Sequence, residues 1–246
     1  MSGAVHLDLD GTLLDPGGVL TPDSLRAVAL VRDAGLRPVV LTGRSRWAAV
    51  AVARTLGIDD VVCELGAVVV IDGEVAVAAP EALPVPRAAL LDAVAGLPLQ
   101  EHEPEAPRVS GTVLRSAASA DAVTAALRAA DLGAWWAVDN GPSHRPLDAG
   151  RPARVVHVVP AGIDKAAGVV AHARLTGLPA ADCAVVGDSP ADLACHAVAG
   201  RTVAVRSVDR EALDLAATLA LPVTAATGAA GALEAVRAIV PATVQP

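Results

Sequence analysis

Asp8 and Asp10 stand two residues apart where a short apolar run, Val5–Leu9, ends, and Asp188 and Asp192 follow a second run, Cys183–Val186. Residues two apart on a strand project to one side, so the first pair shares a face. If Asp188 converges on them, each like-charge pair at ~4 Å costs about 4 kcal/mol at an effective dielectric of 20. Three such pairs call for a counter-ion. Oxygen donors that leave positions open for water and a phosphate suit Mg²⁺ better than a softer metal. Thr42 supplies a hydroxyl after a third apolar run, Arg37–Leu41, and Lys165 precedes the run that leads to Asp188. Lys165 is the sole lysine among 19 basic residues, the rest being arginine. A compact ammonium is not interchangeable with a guanidinium fork in a tight site, so its retention points to function.

Other chemistries fit less well. A D-x-D-G run could open a calcium loop, but Leu13 and Val19 occupy the places where that loop needs Gly and Glu. Strand-end aspartates can also simply cap loops, and that reading stays open. The chain has no G-x-G-x-x-G, P-loop or G-x-S-x-G pattern.

The elements that must position these residues follow from the apolar pattern. Val5–Leu9, Arg37–Leu41 and Val61–Cys63 read as buried strands. Between them lie helices from Thr21 (N-cap, Pro22 at N1) to Ala34 and from about Ser45 to Leu56, stopped by Gly35 and Gly57. Such alternation indicates a parallel sheet covered on both faces. Val68–Ile71 and Val75–Ala78 around Asp72-Gly73 read as a hairpin with a type I′ turn. Pro80, Pro84 and Pro86 then mark a boundary. Beyond it come a helix near Arg87–Ala95, a strand near Val109–Arg115, a helix from Ser119 to about Ala130, and strands near Ala134–Val138 and Arg154–Val159. From Asp164 the first pattern resumes: a helix to Thr176, the Cys183–Val186 strand, a helix to about Val198 and a strand at Thr202–Val205. A helix near Glu211, a short strand at Pro222-Val223 and a last helix to Val240 follow. The expected architecture is α/β, a doubly wound parallel-sheet core (residues 1–79 and 160–246) with an inserted α+β cap (80–159). In such a sheet ligands bind beyond the carboxyl ends of the strands, where the acidic and hydroxyl residues fall.

Composition narrows the partners. Hydrophobic residues make up 53% of the 246, enough for a sizeable core and against disorder. A net charge of −8 and the absence of Phe and Tyr, with three Trp, argue against a nucleic-acid partner. The uncharged stretch Leu215–Leu233 reaches the length of a membrane span, but Pro222, Gly228 and Gly231 make it strand, loop and helix start, so no membrane partner is expected. Cys63, Cys183 and Cys195 lack metal-type spacing and read as buried thiols of a reducing compartment. No leader-like segment opens the chain, and a cytoplasmic location is expected.

Asp8-Leu9-Asp10-Gly11-Thr12-Leu13-Leu14-Asp15, Leu41-Thr42-Gly43-Arg44, Lys165 and Gly187-Asp188-Ser189-Pro190-Ala191-Asp192 resemble, in order and spacing, the four motifs of the haloacid dehalogenase superfamily of phosphatases. The insert resembles the type IIB cap of the Cof-like branch, which includes sucrose-phosphate and mannosyl-3-phosphoglycerate phosphatases. The resemblance implies that Asp8 attacks phosphorus and becomes an aspartyl-phosphate, with Asp10 as general acid and then base. It implies that Thr42 bonds the phosphoryl oxygens and that Lys165 balances charge. Mg²⁺ would be held by Asp8, Asp188 and the backbone carbonyl of Asp10, with Asp192 orienting Lys165 or a metal-bound water. The branch commonly has Asn where this chain has Ala191, which puts rate and substrate choice in question.

A closing cap reads the leaving group. Gly43 and Arg44 beside the second motif, and Arg108, Arg115, His144 and Arg145 in the insert, are the candidate substrate-binding residues. Trp135 and Trp136 must point to opposite faces of their strand, so at most one meets the cleft. His6 and His157, in apolar strands, read as satisfied structural histidines. The expected activity is Mg²⁺-dependent hydrolysis of a small phosphorylated metabolite, a sugar phosphate leading. A sugar phosphomutase and a non-catalytic phosphometabolite-binding module are the alternatives.

Overall fold

The computed structural model describes residues 3–15, 17–77 and 86–240. The first strand, β1 (Ala4–Asp8), lies mid-sheet and is wholly buried. It is followed by α1 (Pro22–Asp33), β2 (Arg37–Leu41), α2 (Arg46–Thr55) and β3 (Asp60–Cys63), then the hairpin β4 (Val68–Ile71) and β5 (Glu74–Val77). Ala78, Pro80 and Pro84, and with them the expected boundary at 79/80, lie outside the described residues. A second layer holds α3 (Arg87–Val94), β6 (Leu99–Glu101), β7 (Thr112–Ser116), α4 (Ala120–Ala129), β8 (Trp135–Pro142) and β9 (Arg154–Pro160). The chain then returns through α5 (Lys165–Thr176), β10 (Cys183–Gly187), α6 (Pro190–Leu193), β11 (Arg201–Arg206), α7 (Arg210–Thr218), β12 (Val223–Thr227) and α8 (Gly228–Ile239).

Two sheets result. The larger runs β12-β11-β10-β1-β2-β3-β4-β5. Its first six strands are parallel, and β4 and β5 extend it antiparallel. The winding direction reverses between β1 and β10, and in a doubly wound sheet that switch point is where a ligand crevice opens. The smaller, antiparallel sheet runs β6-β7-β9-β8. The core is α/β with a separate cap, as expected. Leu215–Leu233 divides among α7, β12 and α8, and no helix among the described residues is long and apolar enough to cross a membrane.

Strand alternation decides what reaches the site. Val5 and Leu7 enter the apolar cluster shared with Ala27, Val31, Leu233 and Val236 of α1 and α8. Ala4, on the other parity, packs with Val169 and Ala173 of α5. Asp8 shares that parity, so its carboxylate faces α5, the helix that carries Lys165. The helix sits close because it meets glycine at both sides of the contact. A Cβ on Gly168 would lie 2.5 Å from Val62 Cγ1 and 2.6 Å from the Gly66 Cα. Beneath the site His6 Nε2 meets His172 Nδ1 at 3.2 Å, and His172 Nε2 meets Asp60 Oδ2 at 3.1 Å, a second tie between β1 and α5.

Cap and core are joined by polar contacts. Glu64, buried after β3, accepts from the backbone N–H of Arg46 (3.1 Å), Val109 (2.9 Å) and Ser110 (2.7 Å). Trp136 Nε1 donates to Ile163 O at 2.8 Å, and Arg154 of β9 reaches Asp209, the N-cap of α7, at 2.9 Å. Trp135 packs inside the cap while Trp136 packs on the main core, so the two do take opposite faces.

Several expectations shift. β6 is an additional short strand, and β7 starts at Thr112 rather than Val109 because Val109 and Ser110 spend their N–H groups on Glu64. β8 continues to Pro142 with a register irregularity after Asp139. The helix after β10 ends at Leu193 and gives way to a 3₁₀ turn over Ala194–Ala197.

Two outcomes follow from these contacts. Gly168→Ala gains about 1 kcal/mol of helix propensity, but the clash with Val62 and Gly66 exceeds it. Overpacking of this kind costs about 1–3 kcal/mol, so thermal unfolding should show the midpoint lowered by several degrees; an unchanged midpoint contradicts the packing described. Glu64→Ala strands three N–H groups at about 1–3 kcal/mol for each one left unpaired. Urea unfolding should show a loss of about 3 kcal/mol or more, and a loss below 1 kcal/mol would mean that the Glu64 contacts are dispensable.

Candidate active site

The residues singled out at the strand ends meet at the carboxyl edge of β1 and β10. Lys165 Nζ lies 2.8 Å from Asp8 Oδ1 and 2.8 Å from Asp192 Oδ1, and the lysine is 1% exposed. The local sequence builds this. Asp164 caps α5 by accepting from Ala167 N at 2.7 Å, which sets Lys165 as the first residue of the helix. Ser189 and Asp192 form a reciprocal capping box on α6 with Pro190 at N1. Asp192 Oδ2 accepts from Ser189 N at 3.1 Å, which turns Oδ1 toward Lys165.

Asp188 completes the acidic group. Oxygens of Asp8, Asp188 and Asp192 all lie within 4.8 Å of one another. Thr12 Oγ1 donates to Asp188 Oδ1 at 3.4 Å. Gly11 lets the Asp10–Leu14 turn pass beside it: its φ is +82°, and a Cβ there would sit 2.4 Å from Asp188 Oδ2.

The electrostatics show an excess of negative charge. Burial, then Asp192, push Asp8 well above the usual carboxylate range, against the pull of Lys165. Burial and Asp192 likewise push Asp188 up to about 7. Lys165 is held charged: Asp192 and Asp8 outweigh the burial that opposes its ionisation. One ammonium does not neutralise three carboxylates, so the donor set fits a hard divalent cation. Asp192 is the least available of the three, because Lys165 and Ser189 already occupy both of its oxygens. The backbone carbonyl of Asp10 accepts no hydrogen bond among the described residues, which leaves its oxygen free to ligate a cation.

The other expected residues are placed as follows. Thr42 is buried at the end of β2, its Oγ1 accepting from Arg44 N at 3.2 Å. The Asp10 carboxylate is turned outward into a two-point pair with Arg44, Nε to Oδ2 at 2.9 Å and a terminal nitrogen to Oδ1 at 2.5 Å. Arg44 thus engages the first motif rather than the cap. Arg108 crosses from the cap to the second motif, its Nη1 donating to Gly43 O at 3.0 Å. Arg115 stays within the cap, bonding Pro146 O and Gln100. His144 and Arg145 are exposed on the loop after β8 and are not drawn into the cluster. Ala191 is buried in the main apolar cluster.

His157 departs from expectation. It is 2% exposed, yet its ring makes no hydrogen bond among the described residues, whereas His6 is tied to His172. Its strand neighbours Val156 and Val158 face the helices of the cap, so alternation turns His157 toward the core. Burial and the charges of Arg108, Lys165 and His102 hold it neutral. Glu64 and Asn140 were also not singled out as functional. The signal for Asn140 was present, since it is the sole Asn of the chain as Lys165 is the sole Lys.

Comparisons with known proteins identify the family and the fold. The model of the haloacid dehalogenase-like hydrolase family matches residues 5–81 and 151–233. A phosphoglycolate phosphatase of Pyrobaculum neutrophilum is 33% identical over 205 residues, covering 78% of each chain. Another, from Methanothermobacter thermautotrophicus, is 27% identical over 235 residues, 95% of this chain and 97% of that one. Among solved structures, a Thermoplasma acidophilum protein superposes with a TM-score of 0.72 at 15% identity over the full length of both chains. The Synechocystis sucrose-phosphatase superposes at 0.68 and 17% identity, covering 96% of this chain and 97% of that one. With its family motifs gathered at the switch point of the sheet, this chain belongs to the haloacid dehalogenase-like hydrolases and is a phosphatase of that superfamily.

Proposed function

We propose that the chain is a Mg²⁺-dependent phosphatase of small phosphorylated metabolites that works through an aspartyl-phosphate on Asp8. The observation that carries this reading is the Lys165 ammonium held 2.8 Å from both Asp8 and Asp192, with Asp188 alongside. Phosphate-monoester hydrolysis needs accelerations up to ~10²¹, and positioning plus charge stabilisation are the main levers.

Each residue has a defined task in this reading. Asp8 forms a bond to phosphorus while the bond to the leaving oxygen breaks. Asp10 gives that oxygen its proton and later takes one from the water that cleaves the acyl-phosphate. Arg44 occupies both oxygens of Asp10, so Asp10 must exchange this pair for the leaving group. Thr42 donates its hydroxyl to a phosphoryl oxygen, and Lys165 offsets charge on Asp8 and the transferring group. Asp8, Asp188 and the Asp10 carbonyl would hold Mg²⁺, which when bound neutralises charge between carboxylate and phosphoryl oxygens. Asp192 fixes Lys165. His144 and Arg145 have no assigned task here.

The leaving group is small. The sequence pointed first to a sugar phosphate, whereas the relatives at 27–33% identity are phosphoglycolate phosphatases. These favour a short phosphorylated acid. A phosphomutase would share Asp8 and Asp10, and its product would distinguish it.

p-Nitrophenyl phosphate should be hydrolysed with Mg²⁺ present, with release of inorganic phosphate. EDTA should abolish turnover and added Mg²⁺ should restore it. Asp8→Asn should reduce the rate to background while the variant still folds, as its far-UV circular dichroism should show. Turnover that survives both EDTA and Asp8→Asn would refute the reading, and an isomeric phosphate ester formed without free phosphate would identify a mutase.

A further inference from the structure

Asn140 is the sole asparagine of the chain, and its Oδ1 is buried without a hydrogen-bond partner among the described residues. Buried side-chain acceptors are nearly always paired, so this one calls for an occupant with a hydrogen to give. Trp136 and Val138 of β8 pack on the main core, and alternation puts Asn140 on that side as well. Asn140 and Gly141 then fall between the pairs Asp139–Val156 and Pro142–Arg154, two residues opposite Val155 alone. A bulge of this kind bends its strand and re-aims side chains, often beside active sites. It is clamped from behind. Asp139 accepts from Gly141 N at 2.7 Å through one oxygen and from Arg154 Nε through the other, and Arg154 continues to Asp209 at 2.9 Å.

Two close approaches show where the bulge points. A Cβ placed on Gly43 would lie 3.1 Å from Asn140 Nδ2, and a Cβ placed on Gly141 would lie 3.7 Å from Ser189 Cβ. Gly43 stands two residues beyond Leu41, the partner of Asp8, and Ser189 stands three beyond Val186, the partner of Leu7. β2 and β10 flank β1 on its two sides. The bulge therefore spans the carboxyl end of β1, over Asp8. The cations nearby have other partners: Lys165 holds Asp8 and Asp192, Arg44 holds Asp10, and Arg108 holds Gly43 O. On the core side α6 brings no comparable acceptor, because Ala191 is buried among apolar residues while Ser189 and Asp192 cap one another.

We propose that Asn140 is a catalytic residue of the second half-reaction, its Oδ1 accepting one hydrogen of the water that cleaves the aspartyl-phosphate. This rests on the phosphatase reading and adds to it the group that orients the water. The water oxygen bonds phosphorus, the bond from phosphorus to the Asp8 oxygen breaks, and its electron pair returns to the Asp8 carboxylate. One water proton passes to Asp10. The other hydrogen, held by Asn140 Oδ1 during the attack, stays on the phosphate product. A water fixed at two points presents its lone pair to phosphorus, which is the gain that orientation brings. The first half-reaction consumes no water, so it does not need Oδ1.

Rapid mixing with p-nitrophenyl phosphate and Mg²⁺ separates the two halves: p-nitrophenol appears as Asp8 is phosphorylated, and inorganic phosphate as the intermediate is cleaved. Asn140→Leu keeps the bulk of the side chain and removes the acceptor. It should release a first equivalent of p-nitrophenol at a rate within threefold of the unaltered enzyme. Turnover should then continue about tenfold more slowly, the scale of one hydrogen bond, while phosphoenzyme accumulates. A misfolded variant cannot deliver that first equivalent. Asn140→Asp retains an oxygen at the same point and should restore phosphate release to within threefold of the unaltered rate. Steady turnover by Asn140→Leu within twofold of the unaltered enzyme would overturn the assignment while the phosphatase reading stands. So would a first equivalent slowed as much as turnover, or an Asp variant as slow as the Leu variant. Absence of phosphate release by the unaltered enzyme would overturn the phosphatase reading itself.

Discussion

A single buried ammonium organises this molecule's site. Lys165 lies out of water between Asp8 and Asp192, and burying any of the three alone would be prohibitive. Desolvation is offset only if all three arrive together, which requires β1, α5 and α6 to hold fixed relative positions. The features that accomplish this are local and mechanical. They are the glycine contact under α5, the Asp164 cap, the capping box of Ser189 and Asp192, and the His6–His172–Asp60 chain beneath. The remaining negative charge belongs to Asp8 and Asp188, and it is what prepares the site for a divalent cation.

The cap is coupled to the same edge through both polar and apolar contacts. Glu64, Arg108 and Arg154 each bridge the two layers, and each sits close to a motif or to the N-terminus of a core helix. Val109, Trp136, Val138 and Val159 of the cap also pack on the main core, and Trp136 donates to Ile163, close to where the chain re-enters the core.

Much of this was legible in the sequence. The β1, β2, β3 and β10 strands announced themselves as apolar runs, the helices between them by their glycine stops, and the cap Thr21 was readable as such, whereas Ser119 and Asp164 were read as helix starts without their capping role. The retention of one lysine against an arginine-rich composition identified the residue on which the site turns. What stayed hidden depended on long-range partners. β6 spans three half-buried residues, too few to show a period. Val109 looked like strand but serves Glu64, a partner 45 positions away. His157 looked structural because its neighbours are apolar, yet those neighbours alternate away from it into the cap, and only the pairing of β9 with β7 and β8 shows which side it takes. The outward pairing of Asp10 with Arg44 had no sequence signal at all.

The central claim is that Asp8, positioned by Lys165, bonds covalently to phosphorus. It is tested most directly by trapping the adduct in an Asp10→Asn variant, which retains the nucleophile but lacks the group assigned to activate water. Acid-quenched enzyme mixed with Mg²⁺ and p-nitrophenyl phosphate should carry one phosphoryl group, located on Asp8 by peptide mass mapping and removed by hydroxylamine. Release of p-nitrophenol with no adduct at any quench time, or an adduct on another residue, would contradict the account.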